Sequence, residues 1–211
     1  MKLYDYPKAP NPRRVNIFLA EKGIELERVP VDLMQAEQLK PEYMAKNPAC
    51  DVPMLELDDG TCISQIPAIY RYFEETDPAP ALLGNDPKEK ALCAMWEHLA
   101  FMNGFLAVAE VFRNTAAGFA GRASVGPHDY AQSPELAERG MLRVKNFFRD
   151  FDQQLADNQF VAGDFYSVAD ITTLVTCDFA RWIKQDIPEE CTHLRAWYQR
   201  ISERPAVQAN P

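Results

Sequence analysis

The hydrophobic pattern changes period once along this chain. Up to about residue 77 short alternating stretches take turns with helical ones; beyond it the period is helical throughout. Residues 2–5 read as a strand. Asn11 followed by Pro12 reads as a helix start, with Asn as N-cap and Pro at the first helical position. That helix carries Val15, Phe18 and Leu19 on one face and stops at Gly23. Residues 24–31 read as a second strand. Residues 35–46 read as a second helix that Pro41 breaks or delays. Met54–Leu57 and Thr61–Ile63 form a hairpin across Asp58-Asp59-Gly60, and residues 66–75 make a third helix. The order β-α-β-α-β-β-α suits a mixed sheet with flanking helices.

A proline-rich stretch, Asp77-Pro-Ala-Pro-Ala81, then acts as a linker. Asp86-Pro87-Lys88-Glu89 opens a long helix to about residue 115 as a capping box. Residues 116–132, rich in small residues, read as a loop. Ser133-Pro134 opens a helix to about residue 156, Ser167-Val-Ala-Asp170 caps another, and the last runs over about 192–203. The expected organisation is an α/β unit over 1–77, a linker over 78–86 and an all-α unit over 87–211.

Composition narrows the function classes. The net charge of −9 disfavours a nucleic-acid backbone as partner, and the early Arg13-Arg14 pair reads as a helix face. No apolar run reaches membrane-span length, and the first residues do not read as a leader peptide. Cysteines at 50, 62, 93, 177 and 191 are odd in number and scattered, with no C-x-x-C, so they read as reduced thiols of a cytoplasmic protein. Three separated histidines give no metal cluster.

The stretch Asn47-Pro-Ala-Cys-Asp-Val-Pro-Met54 carries the most chemistry. Pro53 at the mouth of a strand cannot donate to the sheet. With a cis Val52-Pro53 bond, the Val52 N–H and C=O face outward, free to pair with an extended peptide. An ordinary edge strand beginning with Pro is the other reading.

Several motifs in this order resemble the glutathione transferase superfamily. They are the opening Met-Lys-Leu-Tyr-Asp-Tyr-Pro, Pro12 to Ile24, Val52-Pro53, Asp58-Asp59-Gly60, Ala68-Ile69-Tyr70-Arg71-Tyr72, Ala162-Gly163-Asp164, Ser167-Val-Ala-Asp-Ile171 and Glu203-Arg204-Pro205. The resemblance implies a thioredoxin-like N-terminal domain plus an all-helical C-terminal domain, with glutathione as cosubstrate and no metal. It further implies a homodimer. Ser167 and Asp170 take a structural capping role in it.

The resemblance also distributes roles. Asn11 meets the glutathione sulfur at the start of the first helix, as in the nu class, and Tyr6 is the alternative donor. Ala9 stands where that class has Thr. Val52 and Pro53 take the peptide backbone, and Gln38 and Lys40 reach the glycyl end. Gln65 and Ile66 stand where the superfamily places an acidic or amide side chain and a Ser for the γ-glutamyl end, so one hydroxyl is missing. Cys50 lies beside the expected sulfur. Met102, Phe105, Leu106, Arg113 and Tyr130 are candidates for a second-substrate pocket. The implied activity is attack of the glutathione thiol on an electrophile, or glutathione-dependent disulfide reduction, of nu or theta type. The rival is a non-catalytic binding module on the same fold.

Overall fold

The computed structural model describes all 211 residues. Four strands, β1 (Lys2–Asp5), β2 (Glu27–Pro30), β3 (Met54–Glu56) and β4 (Cys62–Ser64), form one sheet in the order β2-β1-β3-β4. β1 runs parallel to β2 and antiparallel to β3, with Tyr4 opposite Met54; β3 and β4 form the hairpin. One face carries Leu3 and Leu55 into a core with Val15, Phe18 and Leu19 of α1 (Pro10–Lys22) and Ile69 and Phe73 of α3 (Ile66–Thr76). Gly23 ends α1 in the left-handed conformation (φ 66°) that glycine adopts at least cost. The other face carries a small cluster of Val31, Tyr43 and Val52, against which Tyr4, Tyr6 and Leu33 pack.

Two local expectations fail for identifiable reasons. The helix expected over 35–46 is two 3-10 turns, Leu33–Gln35 and Glu37–Leu39, then a single turn α2 (Pro41–Met44). Asp32 caps the first turn through Met34 and Gln35 N–H groups, Ala36 turns left-handed (φ 52°), and Pro41 restarts the chain. The second strand is shorter than read, spanning only Glu27–Pro30.

The helical half comprises α4 (Pro87–Leu99), α5 (Leu106–Thr115), α6 (Pro134–Ala156), α7 (Val168–Ala180), α8 (Thr192–Ser202) and a final turn α9 (Pro205–Gln208). A π-turn stretch, Ala100–Phe105, joins α4 to α5. Contrary to the sequence reading, the joined helix Pro87–Thr115 is long and apolar enough, by length and composition, to cross a membrane. Its Ala100, Gly104, Phe105, Ala107 and Val108 side joins the core with α6 and α7. Gly104 permits the close approach: a Cβ there would lie 2.6 Å from the Phe147 ring and 2.8 Å from Thr176 Cγ2.

Almost every residue of α7 is buried, and its start is the capping box expected from Ser167 and Asp170. The Asp170 carboxylate accepts from the N–H groups of Val161 (3.0 Å) and Ser167 (3.0 Å) and from Trp197 Nε1 (2.9 Å), so it ties α7 to α8 and to the preceding loop. Burial pushes this carboxyl up to about 6, against donors that favour its charged form. The folded chain therefore holds a proton that the unfolded chain releases between about pH 4 and 6. The contribution of Asp170 is full below that window and is lost as the pH rises through it. Relative to Asp170→Asn, which does not titrate, wild type should lose about 2 kcal/mol of unfolding free energy between pH 4.5 and pH 7. Urea unfolding of both proteins at the two pH values measures this; a gain with rising pH would mean that the donors outweigh burial.

Candidate functional site

The antiparallel register brings three strand ends to one edge of the sheet. β1 leaves the sheet at Tyr6, β3 enters it after Val52-Pro53, and β4 leaves at Gln65. The Val52-Pro53 bond is cis. Neither the N–H nor the C=O of Val52 finds a partner within the chain.

The turn before Val52 is held rigidly. Tyr43 Oη donates to the Asp51 carbonyl (2.6 Å), and Asn47 Nδ2 donates to that carbonyl (2.9 Å) and to Asp51 Oδ1 (2.8 Å). Asn47 Oδ1 accepts from the Ala49 N–H (3.2 Å). Both Tyr43 and Asn47 are buried. The second Asp51 oxygen accepts from Gln65 Nε2 (2.7 Å), so Asp51 links the β3 entrance to the β4 exit. Gln65 has φ 72°, a conformation costly for a residue with a side chain and frequent at ligand sites. One of its two amide N–H groups is committed to Asp51, which leaves Oε1 as its open acceptor. Ile66 follows at the first position of α3. Its N–H lies outside the helix ladder, where the helix dipole favours an anion. Its side chain is buried in the main core, so no hydroxyl is replaced by another polar group.

At the β1–α1 turn the helix begins two residues earlier than expected. Pro10 takes the first helical position, Ala9 is the N-cap with no side-chain bond, and Asn11 is inside the helix. The physical reason is that Pro10 already has the helical φ, so the cap moves N-terminal to it. Pro10 and Pro12 carry no N–H, and the Arg13 N–H is bound to the Ala9 carbonyl (3.1 Å). The open donors of this first turn are therefore both on Asn11: its backbone N–H and its side-chain Nδ2. Asn11 Oδ1 is occupied, accepting from Arg14 Nη1 at 3.2 Å.

The other expected residues take distinct positions. The Tyr6 ring packs against the Val31, Tyr43 and Val52 cluster, and its hydroxyl makes no hydrogen bond in the chain. Gln38 sits in the second 3-10 turn with Oε1 buried and unpaired. Lys40 is exposed and paired with Glu37 (3.1 Å). Cys50 is buried, and desolvation pushes its thiol up, which opposes reactivity. All five cysteines are free, and no group of three or more His, Cys, Asp or Glu side chains is placed to hold a metal.

Of the residues expected to line a second pocket, Phe105 and Arg113 are engaged elsewhere, while Met102 and Tyr130 are exposed. Phe105 is core, and Arg113 donates to the carbonyls of Arg122 (2.5 Å), Ala123 (3.3 Å) and Ser124 (2.9 Å), fastening the 116–132 loop. That loop leans on the Val52 turn: a Cβ on Gly126 would lie 3.8 Å from the Ala49 carbonyl. Instead, a cavity of about 420 Å³ opens beside α1, between the sheet-bearing and helical halves. Lys8, Pro10, Arg13, Phe179, Trp182 and Tyr198 line it. Sequence reasoning missed Trp182 and Tyr198; only their half-exposed and partly exposed aromatic rings mark them, and that is a property of the fold.

Residues 1–75 match the family model for the glutathione S-transferase N-terminal domain, and residues 89–205 match that for the C-terminal domain. The chain is 38% identical over 211 residues to glutathione S-transferase 2 of Saccharomyces cerevisiae, covering 99% of this chain and 88% of the yeast protein. The crystal structure of Gtt2 from Saccharomyces cerevisiae superposes with a TM-score of 0.92 at 37% identity, covering all of both chains. A glutathione S-transferase domain-containing protein from Marinobacter aquaeolei superposes with a TM-score of 0.89 at 39% identity, over 98% of this chain and 100% of that one.

Proposed function

We propose that this chain, which belongs to the glutathione S-transferase family, ionises the thiol of glutathione at Asn11 and directs the thiolate at an electrophile or a disulfide. The observation that carries the reading is the start of α1. Two prolines leave Asn11 as the one residue there with open donors, a backbone N–H and an amide Nδ2, and a thiolate accepts from both. Stabilising the anion lowers the thiol's pKa and so supplies the nucleophile at neutral pH.

Glutathione would lie across the sheet edge in this reading. Its cysteinyl backbone pairs with the open Val52 N–H and C=O as a short extra strand. Its γ-glutamyl carboxylate meets the Ile66 N–H, and its ammonium meets Gln65 Oε1 and Asp51. Gln38 Oε1, buried without a partner, is an acceptor for a peptide N–H toward the glycyl end, with Lys40 outside it. The cavity at Arg13, Trp182 and Tyr198 takes the second substrate. Conjugation of a chloronitrobenzene forms a carbon–sulfur bond and breaks the carbon–chlorine bond, with chloride and the thiol proton passing to solvent. In disulfide reduction, the thiolate displaces one sulfur to give a mixed disulfide. A second glutathione then releases the reduced thiol and oxidised glutathione. The buried Cys50 takes no part in either.

Ile66 weakens the γ-glutamyl end. A missing hydrogen bond to a charged group costs roughly 1.5–3 kcal/mol. Ile66→Thr, which restores a hydroxyl and keeps one methyl in the core, should tighten glutathione binding about tenfold in a calorimetric titration. An unchanged affinity would remove the Ile66 argument. No binding by either protein would leave the non-catalytic module as the better reading.

Asn11→Ala should slow conjugation of a chloronitrobenzene electrophile about ten- to a hundredfold, while Tyr6→Phe changes the rate less than threefold. A larger loss in Tyr6→Phe transfers the donor role to the phenol.

The same reading has the chain acting in the cytoplasm as a homodimer, twofold pairing being the commonest oligomeric form. Sedimentation at micromolar concentration should show about twice the 24.0 kDa chain mass; a monomer alone would contradict it.

A further inference from the structure

We propose that Arg14 is a positioning residue for thiol ionisation, holding the Asn11 amide with its oxygen inward and its NH₂ toward the sulfur. The inference rests on the reading that Asn11 meets the sulfur. Arg14 is 1% exposed and is the largest fully buried side chain of the molecule. Its Nη1 donates to Asn11 Oδ1 (3.2 Å), while Nε and Nη2 donate to Thr172 Oγ1 (3.1 and 2.9 Å) and Nη2 also donates to Glu97 Oε1. The Phe101 and Phe105 rings each lie 5.3 Å from its Cζ, and both belong to the π-turn stretch.

An asparagine amide can present either its oxygen or its NH₂ to a neighbour, and a guanidinium has donors only. Arg14 therefore admits one orientation of Asn11. The reversed amide would set NH₂ against a buried cation and aim a carbonyl oxygen at an anion. Arg14 in turn is fixed by Glu97 of α4, Thr172 of α7 and two aromatic rings, all in the helical half. The donor at the sulfur is thus oriented from across the interface between the halves. Lysine cannot reproduce the device, because one ammonium does not span Asn11, Thr172 and Glu97 in a plane.

The test reads the ionisation of bound glutathione from thiolate absorbance near 240 nm as a function of pH. It also measures affinity for S-methylglutathione, which fills the site without ionising. Arg14→Lys should lower the ionisation constant of the bound thiol about three- to tenfold, with S-methylglutathione affinity within about threefold of wild type. Thr172→Val, which loosens the guanidinium and leaves its charge, should act in the same direction and serves if Arg14→Lys does not fold. In an Asn11→Ala background neither substitution should lower ionisation further, because Arg14 acts through Asn11. Unchanged ionisation in the folded single variants would overturn the proposal. So would an equal further loss in the Asn11→Ala background, since the charge would then act on the sulfur directly. If Asn11→Ala alone left ionisation unaltered, the assignment of Asn11 itself would fail and the proposal with it.

Discussion

A cation buried between two halves of a chain has to be answered on every side, and Arg14 sets that requirement here. Removing a guanidinium from water costs several kcal/mol unless partners offset it. Glu97, Thr172, Asn11 and two flanking aromatic rings do so, and they come from α1, α4, the π-turn stretch and α7. Those four elements therefore have one mutual arrangement. Other pairs reinforce the seam. Arg13 reaches Asp178 (2.7 Å), and Arg204 grips Glu21 with two bonds (2.7 Å each).

The candidate site draws its precision from that seam and from the sheet. Asp51 joins the turn before Val52 to Gln65, so the two strand ends that offer backbone groups move together. Asn11 is held from the opposite side by Arg14. A peptide ligand would thus meet backbone donors and acceptors fixed by the sheet, and a side-chain donor fixed by the helical half. Such preorganisation favours ionising a thiol, because the donors need not reorganise as charge develops.

Much of this was legible in local sequence. Gly23, the hairpin at Asp58-Asp59-Gly60 and the Ser167–Asp170 box declare themselves through short-range chemistry, and each stands where it was read. The helix over 35–46 was misread because its apolar spacing is helical, while Asp32, Ala36 and Pro41 interrupt it with turn chemistry. Asn11 has the local signature of a cap because Pro12 follows it, but Pro10 can open the same helix and does. Arg14 read only as part of a helix face. Its partners Glu97 and Thr172 lie 83 and 158 residues away, and no local period reports them. The cavity at Trp182 and Tyr198 is illegible for the same reason: it exists only where distant helices meet.

The most direct measurement is a crystal structure of the chain with glutathione bound. The account predicts the sulfur within hydrogen-bonding distance of Asn11 Nδ2 and its backbone N–H, the cysteinyl backbone paired with Val52, and Asn11 Oδ1 still accepting from Arg14. A sulfur resting on the Tyr6 hydroxyl, or a glutathione that leaves the Val52 groups unpaired, would contradict it.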